Sequence, residues 1–160
     1  MIKITDELKA RVRDHEGTRD QAYQDTLGKW TIGIGHLIRD HEIDKYLISD
    51  GNGGYMPREE KLSADEIEDL FLVDLNRACA QAEQLIGEKM GLQRLPKHIE
   101  HVIVEMVFQL GKTGTGNFNK MWQALGKGQW KIAADEMKDS KWHSQTPVRC
   151  EALAEIVANT

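Results

Sequence analysis

Residues 16–36 read Glu16-Gly17-Thr18-Arg19-Asp20-Gln21-Ala22-Tyr23-Gln24-Asp25-Thr26-Leu27-Gly28-Lys29-Trp30-Thr31-Ile32-Gly33-Ile34-Gly35-His36. Two carboxylates, Glu16 and Asp25, stand with eight residues between them and a change of secondary structure in the gap. Gly17 is the residue type that ends a helix, because it tolerates φ > 0. Asp25-Thr26-Leu27-Gly28 has the Asp-first, Gly-fourth signature of a β-turn. From Lys29 to His36 the chain alternates with a period of two, which predicts a strand. Trp30, Ile32, Ile34 and His36 fall on one face; Thr31, Gly33 and Gly35 fall on the other. A strand that carries glycines on one face usually does so to let something approach its backbone. Two carboxylates and a hydroxyl beside such a face suggest a place where a polymer lies and is cut.

Upstream, Thr5 can cap a helix whose first turn holds Asp6 and Glu7, both well placed against the dipole. Downstream, residues 37–48 are mixed, and Ser49-Asp50-Gly51-Asn52-Gly53-Gly54 is a flexible loop by composition. Asp50 and Asn52 do not open a calcium loop, because Gly54 and Lys61 stand where the later ligands belong. Ser63 and Glu66 form a capping box. The apolar stripe that follows runs through Ile67, Leu70, Phe71, Leu75, Ala78 and Cys79 to Ile86 before Gly87, a helix long enough to connect two lobes. From His98 to Gly111 the residues are apolar almost all round, as in a helix at the centre of a core. Its polar members, His98, His101, Glu105 and Gln109, make one stripe and read as a polar seam rather than a metal site. Shorter helices follow, with Trp122, Trp130 and Trp142 expected to pack between them. The pattern predicts an α+β fold: a small N-terminal lobe with a short antiparallel sheet, a long connecting helix and an all-helical C-terminal lobe. The lobes are expected at about residues 1–64 and 65–160 of a single domain.

With 160 residues the chain can bury one core or two small ones. No apolar run approaches the ~18 residues of a membrane span. The start, Met1-Ile2-Lys3-Ile4-Thr5-Asp6-Glu7, has no hydrophobic signal core. Cys79 and Cys150 are too few for a disulfide framework and read as free buried thiols. The net charge is −5, unevenly spread. Residues 112–149 carry seven basic and three acidic side chains, a local excess of +4 that could attract an anionic polymer. No basic cluster accompanies a nucleic-acid-binding motif.

The spacing Glu16, eight residues, Asp25, five residues, Thr31, then Ile32-Gly33-Ile34-Gly35-His36 resembles the catalytic segment of the T-even phage lysozymes. Met106-Val107-Phe108-Gln109-Leu110-Gly111-Lys112-Thr113-Gly114 and Trp142-His143-Ser144-Gln145-Thr146-Pro147-Val148-Arg149 match the same family in the same order. The resemblance implies a lysozyme-like fold and an endolysin. Such an enzyme hydrolyses the β-1,4 linkage between N-acetylmuramic acid and N-acetylglucosamine in peptidoglycan, with inversion, and lyses the host cell. It implies a monomer with no cofactor or metal. Its partner is peptidoglycan, without nucleic acid or membrane insertion. It would be made in the host bacterial cytoplasm and reach the wall through a separate membrane pore.

Cleaving a glycosidic bond takes an acid on the leaving oxygen and a carboxylate on the other face of the sugar. Glu16 is the candidate acid, Asp25 the carboxylate that activates a water, and Thr31 the hydroxyl that holds it. The resemblance gives these three the same roles, and it makes Arg149 the partner that holds the acid. It sets Leu37, Phe108 and Gln109 along the substrate cleft. Met121 and Glu136 stand where relatives line that cleft with a small hydroxyl and an amide. His36 is expected to face the packing side and to pair with Asp74. Two other readings share the fold: a non-catalytic wall-binding module, and the enzymatic domain of a virion cell-puncturing device.

Overall fold

The computed structural model describes all 160 residues, and the chain divides into two compact units. One comprises Asp6–Leu75; the other comprises Met1–Thr5 and Asn76–Thr160. The division lies inside a helix, beyond the expected boundary at residue 64, and the first five residues join the later unit. Hydrogen bonding explains their placement. Ile2 N–H donates to the Glu83 carboxylate, and His101 Nε2 donates to the Lys3 carbonyl at 3.0 Å.

The earlier unit opens with α1 (Asp6–Glu16), directly after Thr5. A three-stranded antiparallel sheet follows: β1 (Arg19–Gln24), β2 (Trp30–Gly33) and β3 (His36–Leu37), in the order β1-β2-β3. Thr31 pairs with Tyr23 on one side and Leu37 on the other; Ile32 pairs with His36. The expected single strand from Lys29 to His36 is therefore folded back on itself, with Ile34 and Gly35 in the turn. Gly33 and Gly35 both have φ of 67°, a left-handed value that glycine adopts without penalty and an extended strand does not use. These glycines serve the turn rather than a bare strand face.

Beyond the sheet come a 3-10 turn (Asp40–Glu42), α2 (Ile43–Tyr46), and a hairpin of β4 (Leu47–Ser49) and β5 (Tyr55–Pro57). The loop at 49–54 is a hydrogen-bonded turn, not a slack segment. Asp50 Oδ1 accepts from Asn52 N–H at 2.7 Å and from Gly54 N–H at 3.0 Å. Ala22, Ile32, Tyr46 and Leu47 form one core cluster, with Trp30, Ile38, Leu62 and Leu70 packed against it. Core residues thus come from the Ile32 and His36 face of the sheet, and the Thr31 face is left for other work.

Helix α3 (Ala64–Met90) starts at the Ser63 and Glu66 capping box, whose reciprocal bonds are 3.0 and 3.1 Å. It continues past Ile86 and through the exposed Gly87, and stops at Gly91 (φ 61°). One exposed glycine in a 27-residue helix costs only about 1 kcal/mol. It does not end a helix whose other turns are packed.

In the later unit, α4 (Lys97–Gly116) is buried on nearly every side as far as Val107 and breaks its helical backbone at Gly111. Around it lie α5 (Asn119–Gly126), α6 (Trp130–Lys138), α7 (Lys141–Gln145) and α8 (Pro147–Ala158). Ala133 and Ala134 are small enough to let α6 sit closely on α8, its main partner. Trp122 and Trp142 are buried, and each donates its indole N–H, to the Thr115 carbonyl and to Gln109 Oε1 respectively. Trp130 is only half-buried. Cys79 and Cys150 are buried free thiols, pushed up to about 11 by burial.

His36 joins three elements of the earlier unit. Its Nδ1 lies 2.7 Å from Asp74 Oδ2 on α3, and its Nε2 lies 3.0 Å from both oxygens of Glu42. Burial works against the charged ring, but the hydrogen bonds and charges of Asp74 and Glu42 outweigh it and raise the pKa above 6.5. Glu42 moves the opposite way: burial is outweighed by the Arg39 N–H and His36, which hold it below the usual range. The His36 share of stability is therefore complete below about pH 6.5 and fades as pH rises through the folded value. The Glu42 share is present above about pH 4.5 and is lost only as pH falls through its folded value. Breaking a buried pair costs about 3–5 kcal/mol. Asp74→Asn should sit near the lower end, because Glu42 remains. Thermal melts should show its deficit largest near pH 5.5 and smaller at pH 9; an equal loss at both would refute the pairing as an ionic one.

Candidate active site

Helix α1 ends where its sequence says it must. Gly17, at φ 72°, sends its N–H back to the Arg13 carbonyl at 2.9 Å, the single closing bond of a left-handed cap. Glu16 is thereby the last helical residue. The helix is held against α3 by Arg13, which reaches Glu68 at 2.5 Å and lies over the Phe71 ring at 5.3 Å. The carboxyl of Glu16 rests on the turn between β2 and β3. A Cβ at Gly35 would stand 2.6 Å from Glu16 Cδ, inside any real contact distance, whereas one at Gly33 would meet nothing closer than 3.7 Å. Something does approach a glycine backbone here: the protein's own glutamate, at Gly35.

Asp25 is built into the turn between β1 and β2. The backbone closes it through Gly28 N–H to Asp25 O and Asp25 N–H to Lys29 O, both 2.9 Å. Its Oδ1 accepts from Leu27 N–H at 2.9 Å and Lys29 N–H at 2.8 Å. Oδ2 is left for a further donor. The carboxylate is thus aimed by the turn it stabilises.

Thr31 is buried and its hydroxyl donates to the Lys29 carbonyl at 3.0 Å. With its proton committed, the oxygen can act toward anything else only as an acceptor. The register shows how these groups meet. Thr31 is the direct partner of Tyr23 and of Leu37, and Asp25 follows Tyr23 by two residues, on the same side of the strand. Asp25 is therefore diagonal to Thr31, a spacing of about 7–8 Å. Asp25, Tyr23, Thr31 and the 40% exposed Leu37 occupy the face turned away from the Ile32 core. Tyr23 is the member that sequence reading missed. The signal was present in the Tyr23-Gln24-Asp25 alternation, but it needed the β1–β2 register to become visible.

The other candidates lie in the helical unit. Gln109 accepts from Trp142 Nε1 at 2.9 Å and donates to Thr146 Oγ1 at 3.1 Å, so its amide is held at both ends. Phe108 is half-buried. Met121 is 1% exposed, yet it lines a groove of about 640 Å3 together with Phe118, Glu136 and Trp142. The groove also holds Lys120, Lys141 and Asp139. Its charge is balanced, so the basic excess of residues 112–149 is not gathered there. Arg149, on α8, donates Nε to Glu105 Oε2 at 2.9 Å, with both side chains buried. The polar stripe on α4 is shared out: His98 to Thr160 at 3.0 Å, His101 to Lys3, Glu105 to Arg149.

The sequence model of the phage lysozyme family matches residues 13–155. The chain is similar to probable T4-type lysozyme 2 of Dictyostelium discoideum, 30% identical over 156 residues that cover 93% of this chain and 92% of the relative. It is also similar to the pre-baseplate central spike protein Gp5 of Enterobacteria phage T4, 32% identical over 91% of this chain but only 26% of that protein. A peptidoglycan hydrolase, gp36 of Pseudomonas phage phiKMV, is 26% identical over 89% of this chain and 14% of its own length.

The two functions of the Asp25 carboxyl, shaping the turn and carrying charge, are separable. Asparagine retains an Oδ1 acceptor; alanine removes it. Each exposed bond lost costs about 0.5–1.5 kcal/mol. Asp25→Asn should melt close to wild type and Asp25→Ala several degrees lower, as read by circular dichroism.

Proposed function

Because the chain belongs to the phage lysozyme family and is a lysozyme-type glycoside hydrolase acting on peptidoglycan, we propose that it cuts the β-1,4 linkage between N-acetylmuramic acid and N-acetylglucosamine by a single inverting displacement. The observation that carries this reading is the committed proton of Thr31. A water lodged between Asp25 and Thr31 would donate one hydrogen to Asp25 Oδ2 and the other to Thr31 Oγ1. Both its protons are then directed into the sheet, and a lone pair is left facing the anomeric carbon. Asp25 takes the proton that the water loses on attack. Glu16 supplies a proton to the leaving oxygen from the other side.

A hydroxyl placed as an acceptor has this task if a water must be held and none if Asp25 attacks the sugar itself. Leu37, Phe108, Gln109 and Met121 are proposed to contact the glycan, and Arg149 to orient the acid. The enzyme would act as a monomer without cofactor. It would be made in the host bacterial cytoplasm and delivered to the wall through a separate pore to lyse the cell. The likeness to a central spike protein supports a second setting, in which the same chemistry is carried by a virion component.

The test is anomeric. Proton NMR of a soluble glycan oligomer, recorded before mutarotation, should show the α anomer first; a β anomer first would remove the water from the mechanism. Glu16→Gln keeps the shape of the acid without its proton and should lose at least about 10²-fold in rate.

Gly35 offers an independent check on the position of Glu16. Gly33→Ala and Gly35→Ala each place a side chain at φ 67°, at a similar strain of about 1–2 kcal/mol. Only the second pushes the flexible Glu16 carboxyl aside. The two variants should melt alike, while lysis of outer-membrane-stripped Gram-negative cells falls much further in Gly35→Ala.

A further inference from the structure

The sheet face that carries Asp25 and Thr31 holds one more polar group. Tyr23 is the direct cross-strand partner of Thr31, which puts their Cβ atoms about 4.5–5.5 Å apart. Its side chain is half-buried. The Arg19 guanidinium lies over its ring, 4.8 Å from the centroid. The β1–β2 pairing slips between these two residues, and such an irregularity bends the strand, so a residue four positions upstream can fold back onto the ring. A cation there attracts the ring face and limits its rotation.

The phenol also feels both carboxylates. Burial first, then Glu16, with Asp25 adding and Arg19 opposing, raise its pKa above 10. A phenol within electrostatic reach of Glu16 and Asp25 stays protonated at working pH and is a hydrogen-bond donor. Nothing in the protein accepts that hydrogen: Tyr23 has the Arg19 contact and no hydrogen bond from its side chain. A fixed, half-buried donor without an acceptor, on the same face as the groups proposed to hold the water, is suited to an oxygen that arrives with the substrate. Water between Asp25 and Thr31 needs acceptors, which it already has. A sugar brings hydroxyl, ring and acetamido oxygens, all of which accept.

We propose that Tyr23 is a substrate-binding residue of this site, its hydroxyl donating to an oxygen of the sugar that lies across Asp25 and Thr31, with Arg19 fixing the ring. This rests on the hydrolytic reading above and adds a residue to it. A neutral hydrogen bond of this kind contributes about 0.5–1.5 kcal/mol, or roughly two- to tenfold in affinity.

The experiment uses Tyr23→Phe, which removes only the oxygen, on soluble glycan strands freed of their stem peptides. KM should rise two- to tenfold with kcat within twofold and the melting temperature unchanged. Arg19→Ala, which keeps the hydroxyl but frees the ring, should raise KM by a smaller factor. In the Glu16→Gln background, where no bond is cut, Tyr23→Phe should weaken Kd for the same strands by the same factor. An unchanged kcat/KM would overturn the proposal. So would a fall in kcat at constant KM, which would mean that the phenol acts through the carboxylates. If Tyr23→Phe were to melt early, the Arg19→Ala result and the Kd comparison at low temperature decide in its place. Failure of the hydrolytic reading looks different: wild type and Glu16→Gln would release product at equal rates, and the Kd comparison would still report on Tyr23.

Discussion

His36 is the residue through which the sheet is held in place. One imidazole ring takes a carboxylate on each nitrogen, Asp74 from α3 and Glu42 from the 3-10 turn. Only the protonated ring can donate to both. The consequence reaches the opposite face of the same sheet. Ile32 and His36 are cross-strand partners, so anchoring His36 anchors β2 at the residue next to Thr31. An ionic clamp on the core side thus sets the position of a hydroxyl on the other side. A buried charge cluster is a costly way to stabilise a small unit, but it specifies one geometry, and the working face of the sheet depends on that geometry.

Glu16 is placed by two glycines with different tasks. Gly17 ends α1 so that Glu16 is the last residue on it. Gly35 removes the one Cβ that would occupy the space of its carboxyl. Asp25 is placed by its own hydrogen bonds to Leu27 and Lys29. Gly35 therefore gives the Glu16 carboxyl its room, and capping aims the Asp25 carboxylate. The difference suits their proposed roles: the acid must move a proton to a leaving group, and the base must hold a water still.

The helical unit contributes rigidity of another kind. Gln109 is clamped between Trp142 and Thr146, and Phe118 meets Trp142 edge to face at 6.0 Å. The buried Arg149–Glu105 pair ties α8 to α4. The sequence placed Glu105 in a polar stripe with His98, His101 and Gln109 but gave no sign that Arg149 would pair with it.

Local sequence by itself determined the helix ends at Gly17 and Ser63, the Asp25–Gly28 turn, the central burial of α4, and the α+β class with its family. Each rests on contacts within a few residues or on a single periodicity, so the information is in one stretch of chain. The fold-back at Ile34-Gly35 was not legible that way, because a period of two cannot tell a continued strand from a tight hairpin when a glycine stands on each side of Ile34. Only β2–β3 pairing decided it. The Gly35 space for Glu16, the second carboxylate on His36, the exposed Gly87 inside a continuous helix and the place of Tyr23 beside Thr31 belong to the tertiary structure for the same reason. Each depends on residues distant in sequence, or on packing along a whole helix, and no local pattern records which of them will meet.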